Sequence, residues 1–495
     1  MPATHQSYRR SYVKKTILTL VPILFITVSI VIGVTNLNTI RQFLIGATGE
    51  PANIIVDTQA ILGPMPRPWR NLAQGGESND WRLKPLIPQV KALKPEYIRI
   101  DHIYDFYEIV TRDGSGRLQY NWTKIDLVVN DILATGAKPY IALSYMPPAI
   151  GVNGDIVGKS NNWGEYQQVI RRTIEHFSKE RGIEDVNYEV WNEPDLFGKW
   201  SIGNYLMMYS FASRGAQDAS ANGSKNFKFG GPATTALYKN WVKQLLDYVA
   251  RNNLRLDFIS WHRYARNIDS YRNDFSDIKN WLSASPQFSN VELHITEWGH
   301  NSDLDSGYDT SYGAAHTAAV ATEMVGNIQR GFVFEIQDGK DPSGKEYWGR
   351  WGLFTHADYG AHAKPRYYAL KFIDSHTGPE RVSILGKGSW VKGMASHNGD
   401  STTVVLVNYD PAGQHAENVP VTFKSLAGAN FVIQQLFLNG RSLRQEVATT
   451  AAELQTFVVM PPNSMAAVTI TPVQTATQSA VETGSSADSA TTSQP

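Results

Sequence analysis

Short apolar runs alternate with amphipathic segments along most of the chain. Eight strand-like runs rich in Ile, Val, Tyr and Phe occur at residues 53–57, 97–100, 139–143, 186–191, 227–230, 258–261, 291–296 and 332–336. Between them, apolar residues recur at the spacing of one helix face, at residues 122–134, 163–179, 205–219, 241–252, 312–328 and 364–375. This alternation predicts an α/β domain, because parallel strands need helical crossovers between them.

Eight strand–helix pairs across residues 53–377 favour a closed (β/α)₈ TIM barrel over an open, doubly wound sheet. An open sheet of the dinucleotide-binding kind would carry a glycine-rich turn directly after its first strand. The residues after the first predicted strand, Thr58, Gln59 and Ala60, contain no glycine. We therefore expect the barrel.

The pattern changes beyond residue 378. Apolar and polar residues alternate at 402–408, 419–423, 431–437, 455–460 and 465–470, with turn residues between these runs. Such alternation predicts a small antiparallel β-sandwich over residues 378–472. Residues 473–495 are mainly Ser, Thr, Ala and Gln, so we expect a disordered tail there.

The N-terminal region predicts a membrane anchor. Residues 1–15 hold four basic residues and no acidic one, and the nineteen residues 16–34 carry no charge. Such a span is long enough to cross a bilayer as a helix. The basic N-terminus is then cytoplasmic, and residues 35–52 link the anchor to a catalytic domain on the periplasmic or extracellular side of the inner (plasma) membrane. A cleaved signal peptide is the alternative, although residues 33–36 match a cleavage site poorly.

Composition narrows the function class. Lys and Arg total 46, as do Asp and Glu, so no basic excess favours a nucleic acid as partner. The chain has no cysteine, which excludes a disulfide scaffold, a thiolate metal site and a cysteine nucleophile. No His-Glu-x-x-His or Gly-x-Ser-x-Gly motif occurs, and we expect neither a metal nor a cofactor.

Two of the predicted strands end at a carboxylate. The fourth strand runs into Asn192 and Glu193, and Pro194 prevents it from continuing. The seventh strand ends at Glu297. In a (β/α)₈ barrel both strand ends open into one cleft from opposite sides, and two facing carboxylates are what glycoside hydrolysis requires. The structural alternative is that both glutamates only cap their strands.

At these residues the chain resembles a known family. Asn192-Glu193-Pro194 and Glu297-Trp298 are similar to the acid/base and nucleophile motifs of clan A glycoside hydrolases, and more narrowly to glycoside hydrolase family 39, which includes β-xylosidases and α-L-iduronidases. Further matching segments follow in order at residues 145–147, 230–233, 257–264, 351–354 and 364–367. The resemblance covers residues 53–470 and implies a barrel with an attached β-sandwich.

The resemblance implies roles for particular residues. Glu193 would be the general acid/base and Glu297 the nucleophile of a retaining double displacement. Asn192 would bind the sugar hydroxyl next to the reacting carbon. Tyr264 would donate a hydrogen bond to Glu297, and Arg99 would help to keep Glu297 ionised.

Three more residues are expected near the substrate. We expect His262 in the cleft. Trp298 and Trp348 are candidate platforms for sugar rings, with ordinary core packing as the alternative for each.

Two departures from the family pattern leave the sugar open. Asp101 stands where the family carries a histidine two residues after the strand-two arginine, and residues 334–338 differ from a xylosidase. Together with the predicted anchor, this favours an enzyme that processes a cell-surface or exported polysaccharide or oligosaccharide, with exopolysaccharide export machinery as a partner. The alternatives are an exo-acting β-xylosidase-like glycosidase, a transglycosylase, and a catalytically silent carbohydrate-binding matrix protein.

Overall fold

The structure, a computed structural model, describes residues 49–75, 79–340, 351–428 and 430–473. The predicted segments 1–15 and 16–34, nearly all of the linker and the tail after residue 473 lie outside these ranges. Within them, no helix combines the length and the apolar character that crossing a membrane requires.

The described residues form a closed barrel, a larger antiparallel sheet and one small hairpin. In chain order, the strands are β1 (Ile54–Pro64), β2 (Asn71–Gln74), β3 (Tyr97–Ile100), β4 (Val110–Arg112), β5 (Leu118–Tyr120), β6 (Lys138–Leu143), β7 (Val186–Val190), β8 (Phe227–Thr234), β9 (Phe258–Tyr264), β10 (Glu292–Gly299), β11 (Arg330–Phe334), β12 (Glu380–Leu385), β13 (Val391–Asn398), β14 (Ser401–Asn408), β15 (Glu417–Lys424), β16 (Asn430–Phe437), β17 (Ser442–Ala448), β18 (Leu454–Met460) and β19 (Ser464–Pro472).

The barrel contains eight parallel strands in the order β2, β3, β6, β7, β8, β9, β10 and β11, and it closes where β11 pairs with β2. Its interior contains a cluster of apolar side chains, namely Ala73, Tyr97, Tyr140, Phe258, Phe332 and Phe334. The barrel is thus a packed core with a site at one end, as the TIM-barrel architecture predicts.

Helices connect and cover the barrel strands. They are α1 (Ile87–Lys91), α2 (Thr123–Ala134), α3 (Trp163–Glu175), α4 (Ile202–Ala221), α5 (Lys239–Asn252), α6 (Asp269–Ser283), α7 (Ser311–Met324) and α8 (Pro365–Ser375). Local chemistry sets their starts: the Asn162 side chain accepts hydrogen bonds from the first N–H groups of α3, and Ser201 does the same for α4. Their apolar faces pack on the strands.

The second sheet has nine strands in the order β17, β16, β19, β14, β13, β12, β1, β15 and β18. Its two halves enclose one apolar core, to which Ile54, Val421, Val404 and Val468 belong. These features fit the predicted β-sandwich. Its neighbouring strands are antiparallel, except that β1 runs parallel to β15.

The prediction that residues 53–57 form the first barrel strand is wrong. β1 lies inside the second sheet, where Ile55 pairs with Leu385 on one side and Thr422 on the other. The first barrel strand is β2, which is only four residues long and begins and ends with polar side chains. Since β1 and β2 both come before β3 in the chain, replacing one by the other does not change the count, and β7 and β10 remain the fourth and seventh strands of the barrel.

Helix α7, which follows β10, joins the two parts of the molecule. Its residues from Gly313 to the end are all buried. On the sheet side, Tyr409 donates a hydrogen bond of 2.7 Å to the Arg266 carbonyl, and its hydroxyl oxygen accepts one of 3.1 Å from the Tyr312 hydroxyl. The sandwich therefore packs against the side of the barrel on which β10 and Glu297 lie.

Candidate active site

The chain bends sharply where β7 ends. Trp191 and Glu193 have φ values of +73° and +46°, in the left-handed region that L-residues with side chains rarely adopt. One tertiary and one local hydrogen bond hold this turn: the Glu193 N–H donates to the Ala233 carbonyl at 2.9 Å, and the Phe197 N–H donates to the Glu193 carbonyl at 2.8 Å. Backbone strain of this kind occurs at functional sites, and here it places the Glu193 side chain at the cleft.

Glu297 lies on β10, almost fully buried, with both carboxylate oxygens occupied. Arg99, on β3, donates from Nη1 to Oε1 at 2.9 Å. Tyr264, at the end of β9, donates its O–H to Oε2 at 2.9 Å. Donors on two different barrel strands therefore hold the Glu297 carboxylate in one orientation.

The two glutamates face each other across His262. The imidazole Nδ1 lies 2.8 Å from Glu193 Oε1 and 3.4 Å from Glu297 Oε2. One ligand atom from each of these three side chains lies within 4.8 Å of the other two. Three such atoms could approach a metal ion, but Arg99 already provides a positive charge beside Glu297. The arrangement suits two carboxyl groups acting on one substrate atom.

Burial and neighbouring charge perturb the ionisation of this cluster. Burial, helped by the negative charge of Glu193, raises the pKa of Glu297 to about 7 against the opposing effect of His262 and Arg99. Burial alone would lower the pKa of His262, but the charges of Glu297 and Glu193 outweigh that effect, and the net shift is upward. Near neutral pH, the cluster can therefore both hold and release a proton.

Arg99 connects the cluster to the inside of the barrel. Its guanidinium is completely buried and donates from Nε to Glu189 Oε2 at 2.7 Å and from Nη2 to Asn192 Oδ1 at 2.7 Å. Asn192 in turn donates from Nδ2 to the Tyr145 hydroxyl at 2.9 Å. Burial acts to lower the pKa of Arg99, but Glu189 and Glu297 outweigh it, so the pKa is raised and the group stays charged.

A cleft of about 540 Å³ opens above the two glutamates. Aromatic side chains contribute much of its wall, namely Tyr145, Phe197, Tyr264, Phe334 and Trp351. Trp351 packs against Phe334 with ring centroids 5.5 Å apart, and its indole N–H donates to the Asn301 carbonyl at 3.0 Å. Flat apolar faces beside carboxyl groups suit a carbohydrate ligand.

Most of the predicted site residues meet in this cluster, although their catalytic roles remain predictions. The structure brings together Glu193, Glu297, Asn192, Tyr264, His262 and Arg99. Sequence reasoning singled out the segment 334–338, which contains Phe334, but did not identify Tyr145 or Trp351 as cleft residues. The signal for Trp351 was its place at the start of the Trp-Gly-Leu-Phe segment that matches the family.

The structure tests the sugar-platform prediction for only one of the two tryptophans. Trp348 lies outside the described residues. The prediction for Trp298 is wrong, because its side chain is 0% exposed and packs against Tyr271 and His316. Successive side chains of a strand point to opposite faces, so the residue after the inward-facing Glu297 points to the helices outside the barrel.

Comparisons with known proteins agree with this geometry. The model of the glycosyl hydrolases family 39 matches residues 53–384, more than half of the chain. The chain is 27% identical over 249 residues to a β-xylosidase from Geobacillus stearothermophilus, covering 44% of this chain and 48% of that protein. It is 26% identical over 386 residues to a β-xylosidase from Caldicellulosiruptor saccharolyticus, covering 70% of this chain and 76% of the relative. The chain thus spans about half the length of the first of these relatives and three quarters of the second.

Solved structures share the fold. The GH39 enzyme from Xanthomonas axonopodis pv. citri superposes with a TM-score of 0.70 at 19% identity, over 86% of this chain and 98% of that one. A monomeric β-xylosidase from Caulobacter crescentus CB15 has the same TM-score at 20% identity, over 86% of this chain and all of its own. The match to the family model, on which membership rests, confirms the predicted family and enzyme class. This chain belongs to the glycosyl hydrolases family 39.

Proposed function

We propose that this chain is a retaining glycoside hydrolase with Glu297 as nucleophile and Glu193 as general acid/base. The observation that carries the proposal is the close approach of the two side chains, which have carboxylate oxygens within 4.8 Å of each other. Retaining enzymes hold their carboxyl groups about 5–5.5 Å apart, whereas inverting enzymes leave about 6.5–9.5 Å for a water molecule.

In the first step, the Glu297 carboxylate attacks the anomeric carbon while Glu193 donates its proton to the glycosidic oxygen. The bond from carbon to the leaving oxygen breaks as the bond to Glu297 forms. Arg99 and Tyr264 hold the attacking carboxylate from both of its oxygens. In the second step, Glu193 takes a proton from water, the water oxygen bonds to the anomeric carbon, and Glu297 leaves as a carboxylate.

The position of Arg99 favours Glu297 as the nucleophile. Its guanidinium contacts Glu297 directly and so favours the ionised form of that group. The first step uses this ionised form together with a proton on Glu193, which lies beside His262. When Glu297 becomes esterified in the intermediate its negative charge disappears, so Glu193 can ionise and act as the base.

Asn192 is suited to bind the sugar hydroxyl next to the reacting carbon. Its oxygen is held by Arg99 and one amide hydrogen is directed to Tyr145, so the amide plane is fixed. The second amide hydrogen is available to a ligand. Hydrogen bonds to this hydroxyl strengthen in the transition state of retaining glycosidases.

For the substrate, we propose a polysaccharide or an oligosaccharide derived from one. Two apolar side chains beside the acid/base, Leu196 and Phe197, line the cleft yet remain 51% and 41% exposed. Exposed apolar surface at a cleft marks a binding region, and here it could carry sugars beyond the bond that is cut. The two β-xylosidase relatives favour xylosides as the first substrates for the exo-acting alternative.

The decisive experiment compares the full-length chain with its Glu193→Ala and Glu297→Ala variants. Each protein is incubated with aryl glycosides, including the xyloside, and with β-linked polysaccharides and exopolysaccharides, and products are sized. We expect products from the wild type only, with oligosaccharides indicating endo and monosaccharides exo action. Azide should restore turnover of an activated aryl glycoside by the Glu297 variant, with an inverted glycosyl azide as product.

Glu323→Ala serves as the matched control, because Glu323 is also buried and paired with an arginine but lies away from the cleft. Longer products than substrates would support the transglycosylase alternative. If the wild type binds glycans without cutting or transferring them, the matrix-protein alternative replaces the enzyme.

We also propose that residues 16–34 anchor the enzyme in the inner (plasma) membrane, with the barrel outside and exopolysaccharide export machinery as a partner. The support is the uncharged span after a basic N-terminus. Cell fractionation with protease added to spheroplasts tests this. Recovery of the barrel in the cytosol would contradict it.

A further inference from the structure

Asp101 is a buried carboxylate that lines the cleft directly after β3. It is 7% exposed, close to the 6% of Glu297. Its Oδ1 has no hydrogen-bond partner among the described residues, and its Oδ2 lies 3.8 Å from Arg99 Nη1, beyond hydrogen-bonding distance. A buried carboxylate without hydrogen bonds is costly, so this side chain needs a donor that the described protein does not supply.

The nearest cation cannot supply that donor. Arg99 directs Nε to Glu189, Nη1 to Glu297 and Nη2 to Asn192. Each of these bonds is 2.7–2.9 Å long, whereas the approach to Asp101 is about an ångström longer. Arg99 therefore offsets part of the charge of Asp101 without forming a hydrogen bond to it.

The next residue in the chain is also committed elsewhere. His102 has its Nδ1 2.7 Å from Asp105 Oδ2, and its ring stacks on Phe106 with centroids 4.3 Å apart. Asp101 is thus not the hydrogen-bond partner of His102. If Asp101 served only to hold its neighbours in place, the lack of hydrogen-bond donors to its own carboxylate among the described residues would remain unexplained.

The cationic side chains in the described wall of the cleft are already paired with acids. Besides His102, the wall contains Arg263, which binds Asp274 through two hydrogen bonds of 2.7 and 2.5 Å. The acids of the wall include Asp101, Glu193 and Glu297. A sugar carboxylate would therefore meet negative charge here without an uncommitted partner among these residues.

We propose that Asp101 accepts hydrogen bonds from hydroxyl groups of a neutral sugar bound at the reacting position, and that uronic acids are disfavoured there. The inference rests on the proposed glycosidase function and adds its substrate class. A carboxylate has two oxygens and can accept from two neighbouring hydroxyls of one ring. O–H···O⁻ bonds are among the stronger hydrogen bonds, and buried ones discriminate sharply against ligands that lack the hydroxyl.

The test compares the full-length wild type with Asp101→Ala and Asp101→Asn. The substrates are the 4-nitrophenyl glycoside that the wild type cleaves best, its monodeoxy analogues other than the 2-deoxy sugar, and the matching uronide. On the parent glycoside, Asp101→Ala should lower kcat/KM about 10- to 100-fold, as expected for loss of a hydrogen bond to a charged group. On at least one deoxy analogue, the same substitution should have almost no effect. Asp101→Asn should retain part of the activity, because its amide oxygen still accepts one bond.

A structural role would instead lower kcat/KM equally on all substrates, and this outcome would overturn the proposal. So would a wild type that cleaves the uronide as well as the parent glycoside. Asp277→Ala, on an exposed position of α6, controls for loss of one negative charge. If the wild type cleaves no glycoside, the proposed function fails separately. Calorimetric binding of the 4-nitrophenyl glycoside that Glu193→Ala binds most tightly, with and without Asp101→Ala, then tests the contact alone, and equal affinities would refute it.

Discussion

Replacing Glu189 by Gln should shift the pH dependence of the enzyme without removing any group that touches the substrate. Glu189 is fully buried on β7 and shares the Arg99 guanidinium with Glu297. One arginine thus balances two carboxylates. Gln keeps the shape and can still accept the bond from Nε, but it removes one of the two negative charges. The Arg99 charge then acts more fully on Glu297, so the pKa of Glu297 should fall below its present value of about 7.

The geometry sets the size of the shift. Glu189 is 2.7 Å from one guanidinium nitrogen and Glu297 is 2.9 Å from another, so the two carboxylates lie on one small planar group. If they are about 8 Å apart in an effective dielectric constant of about 20, their repulsion is about 2 kcal/mol, or about 1.5 pKa units. We expect a downward shift of about one unit.

The assay is kcat/KM against pH for an aryl glycoside, from about pH 4 to pH 9. Activity on the acidic side requires ionised Glu297, so the acidic limb of the Glu189→Gln profile should move to lower pH. Glu323→Gln is the matched control, because it alters another buried arginine-paired glutamate and should leave the profile unchanged. An acidic limb that stays in place or moves to higher pH, in a variant with unchanged melting temperature, would refute the reasoning.

Three further predictions concern single groups. Tyr264→Phe removes the O–H that donates to Glu297 and should lower kcat/KM about 10- to 100-fold; a large fall in melting temperature instead would indicate a packing role. Glu297→Gln should be more stable than the wild type by about 2–3 kcal/mol at pH 8 and equally stable near pH 4. The reason is that the pKa of Glu297 is raised to about 7 in the folded state, so the wild type loses stability as the pH rises from about 4.5 to 7. Denaturant unfolding at both pH values measures the difference, and a constant gap would contradict it. Lys364→Met removes the buried cation that pairs with Asp338 and Asp309, and it should cost about 3–5 kcal/mol in urea unfolding. A loss below about 1 kcal/mol would show that this cation is dispensable.

The two catalytic strands were predictable because their signals are local. β7 and β10 each contain several apolar residues and bring a carboxylate, Glu193 or Glu297, to the carboxyl end of the strand, and in a parallel barrel all such ends face the same side. The order of the strands along the chain then placed Glu193 and Glu297 across one cleft. No other part of the structure was needed for that step.

β2 was not predictable in the same way, because long-range contacts stabilise it. Its last residue, Gln74, donates to Glu335, which lies 261 residues later in the chain, just after β11, whereas its first residue, Asn71, donates to the nearby Pro68 carbonyl. β1, by contrast, has a strong local strand pattern but joins the other sheet. Hydrophobic pattern identifies a strand, whereas its partners depend on the whole chain.

The sequence alone also could not show that the negative charges of Glu189 and Glu297 lie on either side of Arg99. Glu189 precedes Glu193 by four residues and lies between two apolar residues within the predicted strand, so the sequence gives it no separate role. Only the folded barrel shows that it and Glu297 share one cation. The tryptophan error was avoidable, since the strict alternation of strand side chains already places Trp298 opposite to Glu297.

The central place of β1 in the second sheet has a consequence for synthesis of the protein. Its partners β12 and β15 leave the ribosome only after the whole barrel has been translated. With about 350 residues between β1 and β15, and elongation at about 5–20 residues per second, β1 waits on the order of 20–70 s for its second partner. During that time it is an unpaired apolar strand, which makes it a natural substrate for a chaperone. For the same reason, trimming the gene to begin after residue 65 would leave β12 and β15 with open edges, and such fragments should aggregate.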